Sequence, residues 1–216
     1  MRRRATILCM QPFALSDGRV RLSPHRDDEY QALADAIGVD DSVLRYIPAM
    51  PQPYTADDAQ FFVEQVARPG WQAGTEAQWA VRELPEGWQD GDAEPPILGG
   101  CGLVGIGGGS AEIGWWLTPS ARGRGLLSAA ARLVVEWAFA DEGLALERLK
   151  WRAETTNWAS RKVAWRLGFR VEGLIRKELP TREGQERKDG WIGTLLREDP
   201  REPNEPWPVV AEAPAV

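Results

Sequence analysis

The stretch Glu112-Ile-Gly-Trp-Trp-Leu-Thr118, the turn Ala121-Arg-Gly-Arg-Gly125 and the run from Leu126 to Ala138 together decide the architecture. In the first, Ile113, Trp115 and Leu117 share one face and Glu112, Gly114 and Trp116 the other, which is the two-residue period of a strand. Thr118-Pro119-Ser120 stops it. In the third, Leu127, Ala130, Ala131, Val134, Trp137 and Ala138 follow helical spacing for about four turns, and Gly143 closes the helix. A strand, a basic glycine turn and a helix in succession aim unpaired backbone N–H groups and the positive end of a helix dipole at one point, an arrangement suited to a phosphate.

Downstream, Leu149, Trp151 and Ala153 alternate with Lys150, Arg152 and Glu154 as in a half-buried strand. Asn157 is a natural N-cap for a short helix with Ala159, Val163 and Leu167 on one face, ending at Gly168. Phe169 to Arg176 and Trp191 to Leu196 read as a final strand pair joined by a charged loop, Thr181 to Asp189. Upstream, Arg19 to Leu22 alternates as a first strand. Ser23-Pro24 then reads as a helix start, with Tyr30, Leu33, Ala34 and Ile37 on the apolar face and Gly38 at its end.

Three prolines between Tyr46 and Tyr54 make an irregular connection. Thr55-Ala-Asp-Asp58 has the form of a capping box for a helix from about Ala56 to Arg68, with Ala59, Phe62, Val63 and Val66 on one side. Gln78 to Glu83 and Ile97 to Ile106 read as strands separated by a solvated excursion, Leu84 to Pro96. Gly107-Gly-Gly-Ser110 reads as a hairpin turn, because no helix follows it as a phosphate loop requires.

Of the 216 residues, 43% are hydrophobic and 27% charged, and the net charge is −6. Those proportions are those of a soluble globular domain; the charge disfavours nucleic acid, so a phosphate ligand needs a local basic pocket. No apolar run reaches the ~20 residues of a membrane span. The apolar run after the basic start breaks at Gln11-Pro12, which argues against a signal peptide. Cys9 and Cys101, far apart and without metal spacing, read as free thiols in a cytoplasmic setting. His25, the only histidine, falls in the first turn of an expected helix as a solvated residue, so no histidine triad or zinc site can be built. Most of the 11 tryptophans are expected in the core or a pocket wall. The proline- and acid-rich chain from Asp199 is expected to be disordered.

Three segments, Glu112 to Leu117, Arg122-Gly-Arg-Gly-Leu-Leu-Ser128, and Asn157-Trp-Ala-Ser160 leading to Leu167-Gly-Phe169, resemble in order and spacing the GCN5-related N-acetyltransferases, most closely their RimJ/RimL-like ribosomal-protein branch. The resemblance covers about Arg19 to Arg197. It implies an α/β (α+β) fold: a mixed, mostly antiparallel seven-stranded sheet with helices on both faces and a splay between strands 4 and 5. The chain then divides into an N-terminal extension (1–18), an acetyltransferase domain (19–197) and a tail (198–216).

The resemblance further implies acetyl-CoA as co-substrate, no metal, and an amine acceptor that is either a protein N-terminus or a small molecule. Amides of Arg122, Gly123, Arg124, Gly125, Leu126, Leu127 and Ser128 would hold the diphosphate, with the two arginines adding charge. Leu127 stands where the family has Gly or Ala, and is expected to pack inward. Asn157 would bind the pantetheine arm, and a backbone N–H near Trp116 or Leu117 the carbonyl oxygen.

An α-amine, with a pKa near 8, can lose its proton to a carboxylate through water. Glu112, which corresponds to the catalytic glutamate of histone-acetylating relatives, is the first candidate base; Glu178 and water alone are the others. The tyrosine that many relatives use as acid is replaced here by Ala164, which leaves Ser160. Trp116 shares the face of Glu112 and could line the acyl or amine pocket. A silent acyl-CoA sensor and a nucleotide binder using the glycines near 107 are competing readings. The acyl-chain preference stays open, and an exposed edge strand leaves room for a homodimer.

Overall fold

The computed structural model describes residues 9–208 except 183 and 185; the basic start and the end of the tail lie outside the described residues. The strands β1 (Leu15–Ser16), β2 (Val20–Ser23), β3 (Ala77–Glu83), β4 (Gly99–Gly107), β5 (Ser110–Leu117), β6 (Arg148–Glu154), β7 (Arg170–Pro180) and β8 (Arg187–Leu196) form one sheet in the order β1-β2-β3-β4-β5-β6-β8-β7. The count is eight rather than seven. The added strand is two residues long, too short to show a period, and pairs Leu15 with Leu22 and Ser16 with Arg21.

Every neighbouring pair is antiparallel except β5 and β6. These two pair only from Ser110 to Glu112 against Arg148 to Lys150. Beyond that point β5 stays with β4 and β6 with β8, so the sheet opens into a wedge. This is the expected splay, lying between the fifth and sixth strands once β1 is counted.

One sheet face is covered by α5 (Leu126–Phe139) and α6 (Trp158–Arg166), the other by α1 (Tyr30–Gly38), α2 (Asp41–Leu44) and α3 (Ala56–Phe61). On α5 the buried positions are mostly small or β-branched, Ala130, Ala131, Val134, Val135 and Ala138, which lets the helix lie close on the strands. Leu126 is fully buried, and Leu127 is half-buried and packs against the same core, as expected of it. On α6, Val163, Ala164 and Leu167 are buried while Ala159 is exposed.

Thr55 and Asp58 do form the capping box of α3. The helix does not stop at Arg68: a wide-turned segment, Phe62–Ala67, leads into α4 (Arg68–Ala73), and Gly74 ends it in the left-handed conformation. The wide turn comes just before Pro69, whose missing N–H removes one i→i−4 bond. Ser23 does not cap a helix. It ends β2, buried, with its hydroxyl accepting from Arg82 Nε at 2.7 Å, and the helical path begins only at Asp27–Glu29.

The described residues before β1 and after β8 pack onto the domain. Phe13 packs edge-on against Trp71, Trp79 and Trp137 at 5.3–5.9 Å between ring centres. In the tail, Trp207 packs against Trp158 and Trp165, Glu205 O accepts from Trp165 Nε1 at 2.8 Å, and Asn204 Nδ2 donates to Gly168 O at 2.8 Å. The described part of the tail therefore lies on α6 rather than being disordered. Strands β7 and β8 also run further than expected and leave Thr181 to Glu186 as the connection.

Candidate active site

The wedge between β5 and β6 is flanked by two cavities that share Tyr46, Ile47, Trp115, Trp116, Asn157 and Ser160. One, of about 540 Å³, is a groove against the start of α5. Its wall holds Arg122, Gly123, Gly125, Leu126, Leu127 and Ser128, and facing them Lys162 and Arg166 from α6 and Arg45 after α2. Among the described residues four cationic side chains line it and no carboxylate does, in a chain of net charge −6. The turn itself needs glycine: φ is +74° at Gly123 and +77° at Gly125. No Cβ stands on either, so the backbone there is open to close approach. The first intrahelical bond comes from Ala129 N to Gly125 O, which leaves the amides of Leu126, Leu127 and Ser128 without helical acceptors.

The two turn arginines differ. Arg122 reaches back to Leu117 O with Nε at 3.2 Å and Nη2 at 3.0 Å, fixing the turn against the end of β5. Arg124 points away from the groove to an ion pair with Glu83, and its carbonyl accepts from Arg19 Nη2 at 2.9 Å. The side chain of Arg124 is thus removed from the expected ligand set. Lys162 and Arg166, four residues apart on α6, line the groove where Arg124 does not; their spacing was the available signal in the sequence.

Thr118 N donates to Leu98 O on the β4 side. Strand alternation then turns the N–H groups of Leu117 and Trp115, rather than that of Trp116, toward the gap left by β6.

At the junction Asn157 caps α6, its Oδ1 accepting from Ser160 N at 3.1 Å. Ser160 Oγ accepts two indole N–H bonds, from Trp151 at 3.0 Å and from Trp115 at 3.1 Å. A hydroxyl has two acceptor sites and one proton. With both lone pairs engaged, the remaining capacity of Ser160 is to donate. Trp115 and Trp151, among the tryptophans expected in the core or a pocket wall, are what fixes this, and nothing local in the sequence links them to a serine 45 and 9 positions away.

The second cavity, of about 810 Å³, lies on the opposite side of the junction, between the β3–β6 floor and the helices α1 and α3. Its lining is mostly apolar, with carboxylates from Asp58, Glu76, Glu112 and Glu154 and one guanidinium, Arg152. Glu112 is held firmly: both of its oxygens lie 3.0 Å from Arg152 Nε, and Lys150 Nζ is at 2.9 Å. Arg152 Nη1 continues to Glu178 Oε1 at 2.6 Å. The two candidate bases are therefore ends of one ion-pair chain, and Glu112 is the one that lines the cavity. Cys101 also lines it, but burial pushes its thiol up to about 12, so it stays protonated.

His25 is not a helical, solvated residue. It lies between β2 and the Asp27–Glu29 turn, packs edge-on to Phe62 at 5.4 Å, and has a buried Nδ1 without a partner among the described residues. Burial first, and the nearby charge of Arg82 second, push its pKa down to about 4 from 6.5. The fold thus favours the neutral ring, whose contribution is complete above pH 6.5 and is lost as the pH falls toward 4. Stability is expected to fall between pH 7.5 and 5, at no more than about 1.4 kcal/mol per pH unit from this group. Thermal melts of wild type and His25→Asn across that range check this: the variant's curve should be flatter, and parallel curves contradict it.

Residues 19–170 match the acetyltransferase (GNAT) domain family. YdaF of Bacillus subtilis strain 168, named for ribosomal N-acetylation, is 41% identical over 69 residues, which are 32% of this chain and 37% of YdaF. The chain thus spans little more than a third of that relative. YnaD of the same organism, named as an N-acetyltransferase, is 27% identical over 161 residues, 74% of this chain and 84% of YnaD. The solved structure of Mycobacterium smegmatis RimJ in complex with CoA-disulfide superposes with a TM-score of 0.70 at 20% identity, covering 86% of each chain. At that identity the likeness concerns the fold.

Proposed function

The chain belongs to the GNAT acetyltransferase family, and from that premise we propose that it transfers an acetyl group from acetyl-CoA to a primary amine by direct attack when both are bound. One observation carries the reading: two cavities of opposite charge, a cationic groove and a carboxylate-bearing cleft, meet at Trp115, Trp116, Asn157 and Ser160. The groove suits the diphosphate of the donor and the cleft an amine, and the junction is where their reacting ends can touch.

In this reading the amides of Leu126, Leu127 and Ser128, with Arg122, Lys162 and Arg166, hold the diphosphate. Asn157 orients the pantetheine arm, and the N–H of Leu117 faces the carbonyl oxygen from the open side of β5. An ammonium ion must give up two protons overall. One leaves through water ordered by Glu112 before attack; as the C–N bond forms and the C–S bond breaks, the departing sulfur takes a proton from Ser160, which is made good by the second proton of the amine. Products are the amide, the free thiol of CoA and one proton released to solvent.

Thermal shift with acetyl-CoA followed by free-thiol release over a panel of amines tests the proposal. Stabilisation with amine-dependent thiol release is expected; absence of both at millimolar acetyl-CoA overturns it. A further expectation concerns the turn. Gly123→Val forces a β-branched residue to φ +74° and is expected to weaken acetyl-CoA about tenfold by calorimetry. An unchanged affinity would place the diphosphate elsewhere.

A further inference from the structure

The acceptor cleft owes part of its depth to a missing side chain. On the sheet face that forms its floor, Gly102 stands opposite Gly114 and Gly100 opposite Trp116, and the space over Gly102 is taken by the Gln78 side chain. A Cβ on Gly100 would meet Trp116 Nε1 at 2.4 Å, so the indole lies down across that glycine and presents its ring to the cleft. A Cβ on Gly114 would meet nothing within 4 Å; that position opens directly into the cavity. Opposite the glycine floor the helical side supplies Ile37, Tyr54, Phe61 and Phe62. Two large apolar side chains of the lining are left in solvent, Phe61 at 63% and Val104 at 37% exposure, although each faces a cavity that could cover it. Charge points the same way: Asp58, Glu76, Glu112 and Glu154 against Arg152 make the walls favourable to a cation and unfavourable to a carboxylate or phosphate.

From this we infer that the acceptor is a primary amine carried on an apolar body of aromatic size, which lies over Gly114 between the Trp116 ring and the aromatic side chains of α3 and the segment that follows it. This rests on the proposed transfer at the Ser160 junction. A small, polar or polyanionic amine would leave the glycine floor and the aromatic wall wet; an aromatic body covers both and brings its ammonium to the acidic end. A free arylalkylamine and a peptide whose first residue is aromatic share this chemistry.

The test measures thiol release with saturating acetyl-CoA on two series matched in charge: ethylamine, butylamine, phenethylamine and tryptamine, and tripeptides differing only in a first residue of glycine, alanine, phenylalanine or tryptophan. In at least one series kcat/KM should rise about tenfold or more from the smallest to the aromatic member. The series that responds identifies the source. Gly114→Leu, whose Cβ would meet nothing within 4 Å and whose side chain would fill the floor, should abolish that rise while leaving acetyl-CoA affinity unchanged, because Gly114 lines the cleft and not the groove. If acetyl-CoA binds and amines turn over, but with rates flat or falling with apolar size in both series, or with the rise intact in Gly114→Leu, the inference is wrong and the acyl transfer stands. If acetyl-CoA does not bind, the transfer reading fails and this inference with it.

Discussion

Ser160→Ala is expected to lower kcat by about 10²–10³-fold at saturating substrates while the affinity for acetyl-CoA stays within a few-fold of wild type. The expectation follows from the hydroxyl's bonding: two indole N–H groups occupy its lone pairs, so its proton is directed at the junction of the two cavities. If the residue served only in the first turn of α6, alanine would change little, since the bond to the Asn157 cap comes from the Ser160 amide, which alanine keeps. Loss of the oxygen also leaves two indole donors unpaired, which costs about 1–3 kcal/mol each where water cannot reach them. Ser160→Thr keeps both the oxygen and its proton and is expected to recover most of kcat. Steady-state thiol release on both variants, with binding measured separately, decides the matter. A fall in kcat below about threefold for alanine removes Ser160 as the proton donor.

The largest stability effect is expected at Arg82. Its side chain is 1% exposed in the middle of the described fold, and each of its nitrogens is engaged: Nε to Ser23 Oγ at 2.7 Å, Nη1 to Pro95 O, and Nη2 to both oxygens of Glu29 at 2.8 Å, with Glu94 at 3.4 Å. One guanidinium thus ties β2, β3, the Leu84 to Pro96 excursion and the segment leading into α1. Arg82→Met keeps the volume but strands the nearly buried Glu29 carboxylate and leaves Glu94 only its pair with Arg21, and is expected to cost about 3–5 kcal/mol. For a domain of this size that corresponds to a fall in Tm of about 10 °C. Since α1 forms one wall of the amine cleft, the KM for the amine should rise as well. Glu94→Gln should be much milder, because Glu29 retains its paired bonds. A melt of Arg82→Met within about 3 °C of wild type would contradict this account of how α1 is anchored.

What could be read in the sequence is what neighbours along the chain determine. The alternation from Glu112 to Leu117 and from Leu149 to Glu154 places both strands correctly, the Thr55–Asp58 box and the Asn157 cap form as read, and the glycines at 123 and 125 take the left-handed backbone that only they adopt cheaply. What escaped depends on partners far away. The charge of Arg124 was visible, but its direction is set by Glu83, 41 positions earlier. Ser23 looked like a cap because its competitor, Arg82, lies 59 positions on. The tail read as solvated from its prolines and acids, yet Trp207 finds Trp158 and Trp165 exposed on α6. The proton-donor role proposed for Ser160 came only from the family resemblance; the contact that supports it, two tryptophans converging on one oxygen, appears only in three dimensions.

The central claim is that the cationic groove at the Arg122 turn takes a diphosphate. Calorimetric titration of wild-type protein with acetyl-CoA and, separately, with S-acetylpantetheine, which has the same thioester arm but no diphosphate, tests it most directly. The account expects acetyl-CoA to bind at least about a hundredfold more tightly, with an affinity that weakens as salt is raised. Equal affinities for the two, or no heat with acetyl-CoA at millimolar concentration, would contradict it.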